Sequence, residues 1–181
     1  MKKVALFLAN GFEEIEALAT VDILRRAQLT VETISISDKK SVTGAHNLSV
    51  IADKTFQEAN FSDVGLLVLP GGMPGAKNLN EHEELKQLIS QFNEEGKLIA
   101  AICAAPMVLG GLGLLKDRRA TCYPGFETEL TGAKATGESV VIDGNIITGK
   151  GPGLVFEFAL RLVEKMAGLK IRQEVQNGLL L

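Results

Sequence analysis

The chain has 181 residues, of which 46% are hydrophobic, and we expect a single domain with a buried core over residues 1–181. Lysine and arginine number 19 against 22 aspartate and glutamate, so the formal charge is -3, and no basic block interrupts the sequence. Neither nucleic acid nor an anionic membrane surface is therefore an expected partner. No apolar run approaches the roughly 18 residues that a membrane span needs.

The two cysteines, Cys103 and Cys122, are too few and too far apart for a disulfide framework or a zinc ribbon. We interpret them as free thiols in a reducing compartment. The apolar stretch at residues 4–9 is shorter than the core of a signal peptide and meets acidic residues at once, so we expect it to be a first strand. Together these features predict a cytoplasmic protein.

The first half of the chain alternates strands with helices. Asn10 is expected to cap the first helix, with Glu13 as its capping-box partner. In chain order we predict a strand at 4–9, a helix to about Ala27, a strand at 30–36, a small hairpin over 41–55, a strand at 64–69 that ends in Pro70-Gly71-Gly72, and an amphipathic helix at 81–96.

The second half continues the same alternation. Pro106 is tolerated in the first turn of a helix, so a helix is expected directly after the strand that carries Cys103. In chain order we predict a strand at 97–103, a helix from Pro106 to about Leu115, a short strand within 119–125, a hairpin at 139–150 around Asp143-Gly144, and helices at 153–168 and 170–176.

Apolar strands that alternate with helices of this length predict an α/β fold, with a mostly parallel central sheet and helices on both faces. In such folds ligands lie beyond the carboxyl ends of the strands. The rule indicates three segments: Asn10–Glu16, Pro70–Gly75 and Cys103–Pro106.

Cys103 stands where a strand runs into a helix, which is the outline of a nucleophile elbow, although alanines replace the usual glycines. A helix N-terminus would favour the thiolate and lower the pKa of this thiol. The alternative is that Cys103 is a small buried residue of the core. Backbone N–H groups of Gly72 and Ala104 could bind an oxyanion, although Pro-Gly-Gly is also an ordinary turn.

Three carboxylates, Glu13, Glu14 and Glu16, crowd the start of the first helix. Such residues usually compensate the helix dipole at the surface. A helix packed beside the strand ends could nevertheless turn Glu16 inward, where burial would raise the pKa of its carboxyl and let it hydrogen-bond a thiolate or move a proton.

The sequence contains no nucleotide-binding glycine motif, and its histidines and cysteines lack the spacing of metal ligands. We therefore expect neither a cofactor nor a dedicated metal site. His46 and His82 are expected to be solvated.

The motifs "NGFEEIEA", "LPGG", "AAICAAP" and "GKGPG..FEFAL", in this order, resemble the ThiJ/PfpI superfamily and, within it, the DJ-one branch. The resemblance implies a flavodoxin-like three-layer sandwich that forms a homodimer. It also implies a nucleophilic, oxidation-sensitive Cys103 whose thiolate is hydrogen-bonded by a protonated Glu16, with Gly72 and Ala104 as backbone donors. Residues expected at the same pocket are Glu13, Gly71, Tyr123 and His46.

Two departures from the family pattern limit the chemistry. Ala104 stands where the proteases of the superfamily have a histidine after the cysteine, and Tyr123 stands where many members of the branch have a histidine before a proline. Neither residue can act as an imidazole base, which argues against an amidase or peptidase.

The resemblance implies a cofactor-independent glyoxalase or deglycase that acts on small reactive carbonyls such as methylglyoxal or on glycated adducts. The alternative is a redox sensor or holdase chaperone in which the oxidation state of Cys103 matters and no substrate turns over.

Overall fold

The computed structural model describes residues 3–181. Eleven strands occur in this part of the chain: β1 (Lys3–Leu8), β2 (Val31–Ser35), β3 (Ser41–Thr43), β4 (Ser49–Ile51), β5 (Lys54–Thr55), β6 (Val64–Leu69), β7 (Leu98–Ile102), β8 (Arg119–Ala120), β9 (Lys134–Ala135), β10 (Val140–Asp143) and β11 (Ile146–Gly149). Six α-helices accompany them: α1 (Glu14–Arg26), α2 (Gly75–Glu81), α3 (Glu83–Glu94), α4 (Pro106–Gly111), α5 (Val155–Ala167) and α6 (Leu169–Gly178).

Seven strands form the central sheet, in the order β10-β11-β7-β6-β1-β2-β5. All neighbours are parallel except the β10/β11 hairpin. Helices α1, α5 and α6 pack in one group, and α2 packs against α3 and α4 in another. The predicted α/β architecture, with a mostly parallel sheet between helices, is confirmed.

The central strands are apolar because both faces of the sheet are covered. In β1 every residue from Val4 to Leu8 is buried, and β6 and β7 are almost as fully enclosed. The largest fully buried side chains include Phe7 on β1, Phe158 on α5 and Phe92 on α3, so both helical layers contribute to the core. Because these strands are parallel, their carboxyl ends lie at one edge of the sheet.

The structure corrects the predicted start of α1. Glu13 occupies the N-cap position without a side-chain cap hydrogen bond, and the helix begins at Glu14. Asn10 is used elsewhere, since its Oδ1 accepts the Thr43 N–H at 3.0 Å. The capping box expected from Asn10 and Glu13 is therefore wrong, because the asparagine ties the β3/β4 hairpin to the end of β1.

Other boundaries also differ from the prediction. Helix α2 was not predicted, and α4 ends at Gly111 rather than near Leu115. The strand expected within 119–125 is reduced to two residues of β8, which pair with β9 outside the central sheet. The small hairpin is present as β3/β4, and β5 adds an edge strand beside β2. Across residues 3–181, no helix combines the length and apolar character needed to cross a membrane.

Candidate active site

The three predicted strand-end segments meet at one edge of the sheet. The N–H of Glu13 donates to the carbonyl of Gly71 at 2.9 Å, which joins the start of α1 to the end of β6. The N–H of Gly75 donates to the carbonyl of Gly11 at 3.2 Å. The segment that carries Cys103 lies against the same strand end, since an ideal Cβ built on Gly71 would be 2.6 Å from the Cys103 Cβ.

Cys103 sits directly after β7 in a left-handed backbone conformation, with φ of 64°. A non-glycine residue in this region is strained by about 1–3 kcal/mol and needs firm support. Its N–H donates to the Gly149 carbonyl at 2.9 Å, and its carbonyl accepts the Tyr123 N–H at 2.9 Å. Cys103 is 8% exposed. Helix α4 starts three residues later, with Pro106 in its first turn. The fold thus holds the thiol on a tight turn.

Glu16 lies on α1 and is fully buried beside this turn. Its Oε2 accepts the Gly71 N–H at 2.8 Å, whereas Oε1 is buried without a hydrogen-bond partner among the described residues. Gly71 lies against both groups, since a Cβ there would also come within 2.8 Å of Oε2, and the carboxyl is close enough to Cys103 to hydrogen-bond its thiol. A buried oxygen without a partner is costly, and a proton on Oε1 would remove the charge.

Burial raises the pKa of Glu16 to about 7, although the Gly71 N–H and Cys103 partly offset the effect. Burial and then the Glu16 carboxylate raise the pKa of Cys103 to about 12, opposed by the N–H groups of Gly72 and Ala104. The expected lowering of the thiol pKa is therefore not found, because burial disfavours the thiolate and an ionised Glu16 adds repulsion between two negative charges. Protonation of Glu16 removes that repulsion.

Both predicted backbone donors lie close enough to Cys103 to lower the pKa of its thiol against the effect of burial. Gly72 and Ala104 come from the ends of different strands, and each N–H favours the ionised thiol. Gly72 has φ of +88°, and a Cβ there would lie 2.5 Å from the Gly11 carbonyl oxygen, so a side chain would be both strained and crowded. The arrangement can stabilise negative charge on sulfur or on an oxygen bound next to it.

A cavity of about 230 Å³ opens in front of the thiol. Two of the four predicted pocket residues, Glu13 and Tyr123, line it together with Cys103 and Ala104, whereas Gly71 and His46 do not. Met73, Phe126 and Pro152 complete the wall and were not predicted. Met73 follows Gly72 directly, and Phe126 lies three residues after Tyr123. Their closeness in sequence to predicted site residues is the feature from which they could have been predicted.

His46 is exposed as predicted, but it is not free of partners. Its Nδ1 lies 2.9 Å from Glu14 Oε2 and 3.6 Å from Glu13 Oε2. Glu14, expected at the surface, is 4% exposed and also accepts the backbone N–H groups of His46 at 2.8 Å and Leu48 at 3.4 Å. This ion pair attaches the hairpin turn to α1.

The same three side chains, Glu13, Glu14 and His46, bring ligand atoms within 4.8 Å of one another, which is a spacing that a cation could use. Glu14 is already bound by N–H donors, so a metal would compete with them. Hydrogen bonding and ion pairing account for the cluster.

Two remaining residues lie outside the cavity wall. The Nδ1 of His82 accepts the Leu85 N–H at 3.1 Å as the N-cap of α3, which corrects the expectation of a solvated side chain. Cys122 is 4% exposed, and burial raises the pKa of its thiol to about 11. Cys122 can therefore serve as the internal reference when the reactivity of the Cys103 thiol is measured.

The chain is similar to known proteins over most of its length. The profile of the DJ-1/PfpI family matches residues 2–165. Protein DJ-1 homolog B of Arabidopsis thaliana is 37% identical over 99% of this chain. The chain spans 42% of that protein and 47% of the related homolog A, which is less than half of their lengths.

Two further likenesses extend over nearly whole proteins. The glutathione-independent glyoxalase DJR-1.2 of Caenorhabditis elegans is 35% identical over 171 residues, which make up 92% of this chain and 90% of that protein. The structure of oxidized Toxoplasma gondii DJ-1 has a TM-score of 0.95 and 34% identity, covering 99% of this chain and 98% of that one. On the matched profile and these alignments, the chain belongs to the DJ-1/PfpI family.

Proposed function

We propose that the chain is a cofactor-independent glyoxalase or deglycase in which Cys103 is the nucleophile and Glu16 carries the proton. The observation that carries this proposal is the buried, unpartnered Oε1 of Glu16 beside a cysteine on a strained turn. The name of the Caenorhabditis elegans relative, a glutathione-independent glyoxalase, supports the same reaction class.

The proposed reaction begins when the Cys103 thiol gives its proton to the Glu16 carboxylate, so that the carboxyl is neutral once the thiolate has formed. The thiolate adds to the aldehyde carbon of a 2-oxoaldehyde, while the N–H groups of Gly72 and Ala104 stabilise the alkoxide. Glu16 gives its proton to that oxygen, which completes a hemithioacetal and leaves a carboxylate.

The same carboxylate then removes the proton from the carbon that bears sulfur, which gives an enediolate, and returns it to the neighbouring carbon. The hydroxyl proton passes to the oxygen on that neighbouring carbon, so that a carbonyl forms next to sulfur. The product is a thioester of a 2-hydroxy acid, and its hydrolysis restores the Cys103 thiol. Because Glu16 has a pKa of about 7, it can hold and release a proton near neutral pH, as both steps require.

Conversion of methylglyoxal to D- or L-lactate tests the proposal. Cys103→Ser and Glu16→Gln should each lower turnover by at least 100-fold, since general acid–base catalysis alone contributes about 10²–10⁴-fold. Cys122→Ser is the matched control and should retain activity. A buffer blank corrects for free glyoxal chemistry. Wild-type turnover equal to that of Cys103→Ser would refute the proposal.

A second candidate function is redox sensing through Cys103. It is favoured by the N–H donors around the sulfur, which would also bind the oxygens of a sulfinate, and by the oxidized form in which the Toxoplasma gondii relative was solved. Graded peroxide should add two oxygens to Cys103 before Cys122 reacts, as measured by peptide mass spectrometry. Earlier oxidation of Cys122 would contradict it.

We also propose a homodimer, located in the cytoplasm. Four large apolar side chains are exposed on α1 and near β4: Ile15, Leu18, Leu48 and Ile51. A second copy of the chain would cover them, and the two free thiols suit a reducing compartment. Light scattering should give twice the 19.4 kDa chain mass, and Leu18→Asp should halve it. A monomeric wild-type protein would exclude the dimer.

A further inference from the structure

The wall of the Cys103 cavity is mostly apolar. Four of its residues carry apolar or aromatic surface: Met73, Tyr123, Phe126 and Pro152. Met73 and Tyr123 are each 46% exposed, although such side chains usually pack away from solvent. At about 230 Å³ the cavity is smaller than the usual range of about 300–1,000 Å³, so it suits a small molecule with an apolar end.

Tyr123 is fixed relative to the nucleophile. Its N–H donates to the Cys103 carbonyl at 2.9 Å, and its own carbonyl accepts the Phe126 N–H at 3.0 Å. The ring lies against Gly151, where an ideal Cβ would come within 3.2 Å of ring carbon Cδ2. The turn at 123–126 thus holds two aromatic rings at the wall beside the sulfur.

The charge at the cavity is negative. Glu13 is the one carboxylate that lines it, and no lysine or arginine among residues 3–181 does so. The nearby cation, His46, lies closer to Glu14 than to Glu13, at 2.9 Å against 3.6 Å, so it is shared between two carboxylates. An anionic substrate would therefore be repelled by Glu13, whose charge His46 compensates only in part.

We propose that this cavity selects uncharged 2-oxoaldehydes with an aromatic substituent. Tyr123 determines the preference for aromatic over aliphatic substrates, and Glu13 determines the preference for uncharged over anionic ones. The inference rests on the proposed function and specifies its substrate class. Stacking between aromatic rings contributes about 0.5–1.5 kcal/mol, which corresponds to a preference of roughly 2–12-fold. Tyr123 is here a specificity-determining residue rather than an acid or base.

Three substrates measure the selectivity: phenylglyoxal, methylglyoxal and 4-carboxyphenylglyoxal. The readout is the ratio of kcat/KM values within each variant. Tyr123→Ala should abolish the preference for phenylglyoxal over methylglyoxal, whereas Tyr123→Phe should keep it. Glu13→Gln should narrow the gap between phenylglyoxal and its carboxylated form several-fold. Phe156→Ala, which removes an exposed ring outside the cavity, is the control and should leave both ratios unchanged.

A second measurement does not depend on turnover. Alkylation of Cys103 by iodoacetamide, its N-phenyl derivative and iodoacetate is followed by peptide mass spectrometry, with Cys122 as the internal reference. The N-phenyl reagent should react fastest and iodoacetate slowest. Tyr123→Ala should remove the advantage of the phenyl group, with thermal melting and Tyr123→Phe as controls for folding.

The outcomes separate the two proposals. If the enzyme turns over but Tyr123→Ala changes neither the kcat/KM ratio nor the labelling ratio, the assigned selectivity is wrong and the proposed reaction stands. If nothing turns over while labelling still depends on Tyr123, the cavity selects as inferred and the proposed reaction is wrong. Equal labelling by all three reagents in the wild type would overturn the inference.

Discussion

The buried carboxyl of Glu16 makes the stability of the protein depend on pH. Its pKa is about 7 in the folded protein against 4.5 for an ordinary glutamate, so the folded state binds more protons than the unfolded state between these values. Stability from this group is complete below pH 4.5 and is lost as pH rises through 7. Since one pKa unit corresponds to about 1.4 kcal/mol, the loss is about 3 kcal/mol.

Urea unfolding of wild type and Glu16→Gln at pH 4.5, 6 and 8 measures this effect. The free energy of unfolding of the wild type should fall by about 3 kcal/mol relative to the variant across that range. Glu157→Gln, an exposed carboxylate on α5, is the matched control and should follow the wild type. Parallel curves for wild type and Glu16→Gln would show that the raised pKa does not belong to Glu16.

The remaining predictions concern Gly71 and the ion pair on the hairpin turn. Gly71→Ala should lower the free energy of unfolding by about 1–3 kcal/mol and slow Cys103 alkylation, because its methyl group would lie 2.6 Å from the Cys103 Cβ. Gly153→Ala, where a Cβ meets nothing within 4 Å, should have little effect in urea unfolding, and equal losses would refute the packing argument. The hydrogen bond to Glu14 raises the pKa of His46, so the attachment of the turn should weaken as pH rises through that pKa. Hydrogen exchange at the His46 amide should then accelerate, and Glu14→Gln should remove this pH dependence; identical profiles would exclude the ion pair as its cause.

Strand positions and the overall architecture could be predicted from the sequence because buried parallel strands leave continuous apolar runs. The runs at 4–9 and 64–69 correspond closely to β1 and β6. Helix α2 escaped prediction because it has seven residues, no acidic first turn and no basic last turn. The short β8 and β9 strands depend on pairing between distant residues, which local patterns do not encode.

The meeting of Cys103, Glu16 and Gly71 could be expected from the rule that parallel strands end at one edge. The direction of the Cys103 pKa could not, because it depends on burial and on the charge of Glu16 rather than on the start of α4. Asn10 was likewise misassigned, since its preference for the Thr43 N–H over the helix cap arises from the position of the β3/β4 hairpin.

Cys103 is anchored through its backbone to two segments that are distant in sequence. Its N–H is held by Gly149 at the end of β11, and its carbonyl by Tyr123 beyond β8. Release of either anchor would let the strained φ of 64° relax and turn the sulfur away from its N–H donors. The labelling rate of this one thiol therefore reports the integrity of the whole sheet edge, so that the protein contains its own chemical probe of local unfolding.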